Sequence, residues 1–155
     1  MLACEPISEK ESTELQNEIN DYEKSSKFNY KIQEAKGEVR TDLHHVSISK
    51  FLKERLLQPD WSILELGCAA GKMLVEAQAA YNDGIGTHGD LVGVELVDGW
   101  VKWAQEYYPT QGNHIHVYKG DATAFDLPAP YETKTFDLVM MNDVMEHIQK
   151  NPPDT

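Results

Sequence analysis

The stretch Ser62-Ile63-Leu64-Glu65-Leu66-Gly67-Cys68-Ala69-Ala70-Gly71 decides the fold. A short apolar run ends in an acid and a leucine, then meets a turn of small residues, which reads as a buried strand feeding a tight bend. Met73, Leu74, Ala77 and Tyr81 follow on one helical face. The same alternation continues downstream. Asn82 to Asp90 forms a loop with three glycines, and Leu91-Val92-Gly93-Val94-Glu95 is a second strand. Asp98 is placed to cap a helix whose apolar face is Trp100, Val101, Ala104, Tyr107 and Tyr108, ending at Pro109. His114 to Tyr118 is a third strand and Phe136 to Met141 a fourth. Strands alternating with helices predict an α/β fold, a parallel sheet covered by helices. Leu138-Val139-Met140-Met141 is continuously apolar, as in a strand buried on both faces, whereas the third strand alternates histidine with Ile/Val, as nearer an edge. The expected order is third–second–first–fourth, with a ligand crevice beyond the carboxyl ends where the chain reverses direction.

Upstream, residues 1–36 are polar and charged and are read as an N-terminal helix or arm, separate from a domain over 37–155. Ser8-Glu9-Lys10-Glu11 fits a capping box, and Leu15, Ile19 and Tyr22 extend a helix over about 8–24. Gly37 ends whatever precedes it. A further helix over about 42–57 is expected to bury Leu43, Val46, Phe51, Leu52 and Leu56 before Pro59 stops it.

Composition narrows the function classes. The 155 residues carry 14 Lys+Arg against 26 Asp+Glu, a formal charge of −12, which disfavours binding to bulk nucleic acid or an anionic membrane surface. No run approaches the roughly 18 apolar residues that span a bilayer. The N-terminus has no apolar core of a secretory signal, and two cysteines make no disulfide framework, so a reduced, cytoplasmic protein is expected. His114 with His116, and His44 beside His45, have no acid or cysteine close in sequence to complete a metal site, and none is expected.

The glycine-rich turn carries the chemistry, because residues without bulk let backbone amides approach a ligand. A phosphate-binding P-loop would need four residues between its glycines and then Lys-Ser/Thr; here three intervene and Met73 follows Lys72. The dinucleotide pattern Gly-x-Gly-x-x-Gly fails as well, since Ala69 and Lys72 occupy the places of its later small residues. The remaining pattern, acid-x-Gly-x-Gly/Ala-x-Gly over Glu65 to Gly71, resembles the first motif of class I S-adenosylmethionine-dependent methyltransferases. Three further segments match that family in order: Gly93-Val94-Glu95-Leu96, Lys119-Gly120-Asp121-Ala122, and Phe136-Asp137-Leu138-Val139 leading to Asn142-Asp143-Val144-Met145-Glu146-His147. The resemblance covers about residues 40–148 and departs mildly from the pattern, with Glu65 for the commoner Asp and Ala69 for the middle glycine.

The resemblance implies a Rossmann-like three-layer sheet, the first four strands of a seven-strand fold, and S-adenosyl-L-methionine as cofactor. Its binding residues would be Glu65, Gly67, Cys68, Ala69, Gly71, Glu95, Leu96, Asp121, Ala122 and Asn142. Glu65 would serve the cofactor's amino group through water, Glu95 the two ribose hydroxyls, Leu96 the adenine face, and Asp121 with the Ala122 amide the adenine edge. Asp143 and His147 are the candidates for a general base, needed only if the acceptor must lose a proton. The implied activity is methyl transfer to a small-molecule acceptor. A non-catalytic cofactor- or partner-binding fragment, or a nicotinamide-dependent oxidoreductase, are the alternatives. Plainer roles compete at single positions: Glu65 capping backbone amides, Glu95 a solvated strand end, Asp121 a turn former, Cys68 a small packed residue. The chain stops soon after the fourth strand, so a fragment is expected, with that strand's outer edge open to self-association.

Overall fold

The computed structural model describes residues 8–41 and 43–142. Its order is α1 (Glu9–Lys24), α2 (Ser26–Ala35), α3 (Leu43–Phe51) with a π-helical turn over Leu52–Leu56, β1 (Ile63–Leu66), α4 (Lys72–Ala80) with a second π-helical turn over Tyr81–Ile85, β2 (Leu91–Glu95), α5 (Asp98–Thr110), β3 (Ile115–Lys119) and β4 (Leu138–Met140). The four strands are parallel in the order β3-β2-β1-β4, as the alternation and the strand patterns predict. β1 and β2 sit centrally and are buried throughout. α4 and α5 supply the predicted apolar faces: Met73, Leu74, Ala77 and Tyr81 are buried, as are Trp100, Val101, Ala104 and Tyr108.

The N-terminal start signal works as read. The Ser8 amide donates to the Glu11 carboxylate at 3.0 Å and the Glu11 amide to Ser8 Oγ at 3.2 Å, so the capping box closes on both sides. α2 is a separate helix that the sequence reading does not anticipate, although Phe28, Ile32 and Ala35 are at helical spacing. It ends in a Schellman arrangement: Gly37, at φ +75°, donates to Glu34 O at 3.1 Å, and Glu38 donates to Gln33 O at 2.9 Å. Glycine enters this left-handed conformation without the clash that a side chain would bring.

Several expectations are corrected. Leu43, Val46 and Phe51 are exposed (68%, 46% and 53%), and of the expected set only Leu52 is fully buried. The buried residue of α3 is instead His45, turned toward Glu34 of α2. The fourth strand is shorter than Phe136 to Met141 and is not covered on both faces: Val139 is 54% exposed. β4 pairs with β1 alone among the described residues, so its outer side lies at the sheet edge. Asp98 does not cap α5. Val97 holds the cap position, and Asp98 in the first turn pairs with Lys119 at 2.7 Å. α5 also continues through Pro109 to Thr110, which is tolerable because only one intrahelical bond near its end is lost.

Gly93 in the middle of β2 lets the turn after β1 close onto the sheet. A Cβ there would lie 2.5 Å from Cys68 Sγ and 3.1 Å from Leu74 Cδ1. Gly93→Ala is expected to cost about 1–3 kcal/mol through overpacking, read as a lower urea midpoint at unchanged slope.

Candidate functional site

The carboxyl ends of β1, β2 and β3 converge on the glycine-rich turn. Gly67 and Cys68 both donate their amides to Val94 O, at 2.7 and 3.2 Å, so the turn begins hydrogen-bonded to β2. Gly67 at φ +71°, Ala69 at φ +49° and Gly71 at φ +96° set three left-handed residues within five. Ala69 is the strained one, since that conformation costs an L residue roughly 1–2 kcal/mol. This gives the departure from glycine at that position a physical meaning.

Glu95 holds the strained residue. Its Oε1 accepts the Ala69 amide at 2.8 Å and its Oε2 accepts the Val97 amide at 2.9 Å. The side chain is buried, so Glu95 is not a solvated strand end. Gly120 donates to Glu95 O at 3.0 Å, which brings the β3 end beside it.

Glu65 lies deeper, 2% exposed at the end of β1. Asn142, just past β4, donates from Nδ2 to Glu65 Oε2 at 3.0 Å, joining two predicted site residues that are distant in sequence. The other oxygen, Oε1, is buried with no hydrogen-bond partner among the described residues. Glu65 therefore does not cap backbone amides through that oxygen. Burial, reinforced by the Glu95 charge, outweighs the Asn142 hydrogen bond and the Lys31 charge and pushes the Glu65 carboxyl up to about 7.

The other expected site residues make structural contacts of their own. Cys68 is buried against Gly93, and burial together with the Glu65 and Glu95 charges pushes its thiol well up, leaving it a packed residue rather than a thiolate. A Cβ on Gly71 would lie 2.7 Å from Tyr108 Oη, so a glycine there makes room for α5. The Tyr108 hydroxyl donates to Ala70 O and fixes the turn from the other side. Asp121 Oδ1 accepts from the Thr123 amide at 2.8 Å and the Thr123 hydroxyl at 2.6 Å, closing a turn, and Ala122 beside it is half-buried. Asp143 and His147 lie outside the described residues. Among the described residues no three His, Cys, Asp or Glu side chains gather as a metal site.

The N-terminal helices reach the site, which the polar sequence did not suggest. Leu15, Ile19, Phe28, Ile32 and Ala35 pack with Ala69, Ala70, Leu96, Val97 and Trp100 in one apolar cluster. Phe28 stacks on Trp100 with ring centroids 5.6 Å apart, Trp100 Nε1 donates to Phe28 O at 3.1 Å, and the Gly99 amide donates to Glu23 Oε1 at 2.9 Å. Leu96 thus touches the N-terminal cluster as well as the turn.

Residues 63–155 match the methyltransferase-domain family. The chain belongs to that family. Its sheet is that of the class I, Rossmann-like methyltransferases, as solved structures also indicate. A coclaurine N-methyltransferase structure bound to N-methylheliamine and S-adenosylhomocysteine is 15% identical, with a TM-score of 0.52, over 89% of this chain and 43% of that one. The YcgJ protein from Bacillus subtilis is 16% identical, with a TM-score of 0.50, over 70% of this chain and 41% of that one. This methyltransferase domain therefore spans less than half the length of either structure. No helix among the described residues is long and apolar enough to cross a membrane.

The Glu65 carboxyl gives a test by titration. Its folded-state pKa stands above the ordinary value of 4.5, so the proton is bound more tightly in the folded protein. The associated stability is full below about pH 4.5 and is lost as pH rises toward about 7. The difference is on the order of 3 kcal/mol. Urea unfolding at pH 5 and pH 8 is expected to reveal this loss in the wild type and not in Glu65→Gln, which carries no titrating group there.

Proposed function

We propose that this domain binds S-adenosylmethionine at the carboxyl end of its sheet and transfers the methyl group to a small-molecule acceptor. The observation that carries the reading is the buried Glu65 Oε1, which faces no protein donor among the described residues, at the turn where Glu95 already holds Ala69 and Val97. A carboxylate oxygen kept dry and unmatched is costly alone and suits a cationic ligand. The cofactor's ammonium answers that need, and an ammonium beside Glu65 would hold the carboxylate ionised at neutral pH.

When bound, the cofactor supplies a methyl group activated by its sulfonium, so alignment contributes more than proton transfer. The chain's own residues divide the work of holding it. Asn142 orients Glu65 toward the ammonium, and Glu95 at the end of β2 takes the ribose hydroxyls. Leu96 gives an apolar surface for the adenine, and Ala122 with Asp121 lies at its edge. Gly67 and Ala69 keep the turn low enough for approach. The net charge of −12 favours a cationic cofactor over a polyanion. A cytoplasmic setting accords with the chain's cysteine usage.

Titration calorimetry against S-adenosylhomocysteine, S-adenosylmethionine and NAD(H) tests this. Binding of the first two and not of the nicotinamide cofactor is the expected result. Glu95→Gln, which keeps one acceptor oxygen, is expected to lose about 1.5–3 kcal/mol of that binding. Unchanged affinity in a folded variant overturns the ribose assignment.

The β4 edge carries a second expectation. Val139 and Met141 are exposed beside a strand paired on one side among the described residues, and such an edge recruits other strands. The 155-residue chain is expected to self-associate at micromolar concentration; sedimentation showing only a cooperatively folding monomer contradicts this.

A further inference from the structure

A zwitterionic amino-acid group places a carboxylate on the same carbon as its ammonium. An ammonium seated on Glu65 Oε1 would therefore bring a negative charge into a turn already lined by Glu65 and Glu95, so the site needs a cation close by. The acidic composition makes such cations scarce, and most of the described lysines with ion pairs are held at close contact elsewhere. Lys72, at the start of α4, contacts Glu76 at 2.7 Å; Lys36 contacts Glu38 at 2.7 Å; Lys119 contacts Asp98 at 2.7 Å; Lys134 contacts Asp90 at 2.6 Å.

Lys31 differs. It stands on α2, the helix whose Phe28, Ile32 and Ala35 pack with Ala69 and Ala70 of the turn and with Leu96. Its side chain is 18% exposed, and its ammonium sits 3.6 Å from Glu34 Oε1, beyond hydrogen-bond length. Glu34 is fully buried and also faces His45 Nδ1 at 3.4 Å. Glu34 thus links α2 and α3 and holds the Lys31 ammonium only loosely, on the helix that packs over the turn. The Lys31 charge also acts on Glu65, where it favours the ionised carboxylate.

We propose that Lys31 receives the α-carboxylate of the bound cofactor's methionine end, so that Lys31 and Glu65 together read that end as a zwitterion. The assignment rests on the S-adenosylmethionine reading above. It gives α2 a part in recognition, because the helix covering the turn brings in the positive charge that the turn's own acids cannot provide.

Two ligands separate the assignment from its foundation. S-adenosylhomocysteine carries the amino-acid group, and 5′-methylthioadenosine keeps the nucleoside and thioether without it. Calorimetry on the full chain is expected to show that Lys31→Met weakens S-adenosylhomocysteine at least tenfold. The same variant should leave 5′-methylthioadenosine within about twofold, and Lys31→Arg should restore most of the lost affinity. Equal weakening of both ligands would mean that Lys31 only supports the packing of α2, and undiminished S-adenosylhomocysteine binding would remove Lys31 from the site; either result overturns the proposal. If Lys31→Met fails to fold by thermal melting, Lys31→Gln is read in its place by the same two ligands. A wild-type chain that binds neither ligand overturns the cofactor reading, and this assignment with it.

Discussion

The Glu95 carboxylate is the constraint around which the site is built. It accepts one amide from the turn after β1 and one from the start of α5, and so locks two connections that leave the sheet in different directions. Without it, Ala69 has little reason to stay left-handed, and two amides in a poorly hydrated place lose their acceptor. The bond is charge-assisted on both oxygens, the kind that contributes more than a neutral pair. Tyr108 completes the grip from the opposite side through Ala70 O. The turn is thereby rigid before any ligand arrives, which lowers the ordering cost of binding.

A second carboxylate, Glu65, is treated in the opposite manner. Both oxygens of Glu95 accept backbone amides, whereas Glu65 is given one side-chain donor and, among the described residues, left with a bare oxygen. Two acids at adjacent strand ends thus diverge in character through their surroundings alone. The first shapes the turn as well as facing it, and the second keeps an oxygen for a partner of opposite charge.

Much of this was legible in the sequence. The strand order came out as expected although its premise, a fourth strand covered on both faces, did not hold at Val139, and the turn followed from its small residues. Glu65, Glu95 and Asn142 were legible as a set only through the resemblance, because their meeting depends on parallel pairing of strands far apart in the chain. The misreadings have a common cause. Leu43, Val46 and Phe51 carry an apolar pattern, yet a pattern does not say whether a partner surface is present, and α3 buries His45 instead because Glu34 is there to receive it. Polarity hid the opposite case: α1 and α2 look solvated, but a thin stripe of Leu15, Ile19, Phe28 and Ile32 suffices to seat them over the turn. Asp98 has the letter of a cap, and Lys119 across the β3 end drew it into an ion pair.

The stacking of Phe28 on Trp100 has an optical consequence. The indole ring is buried, parallel to a phenyl ring within 7°, and donates its N–H to a backbone carbonyl of the neighbouring helix. Any movement that lifts α2 from α5 removes the ring neighbour and the hydrogen-bond acceptor together, and hands the indole to water. The emission of that tryptophan then shifts to longer wavelength while the backbone helices stay intact. The protein carries its own fluorophore at the joint between its N-terminal helices and its sheet.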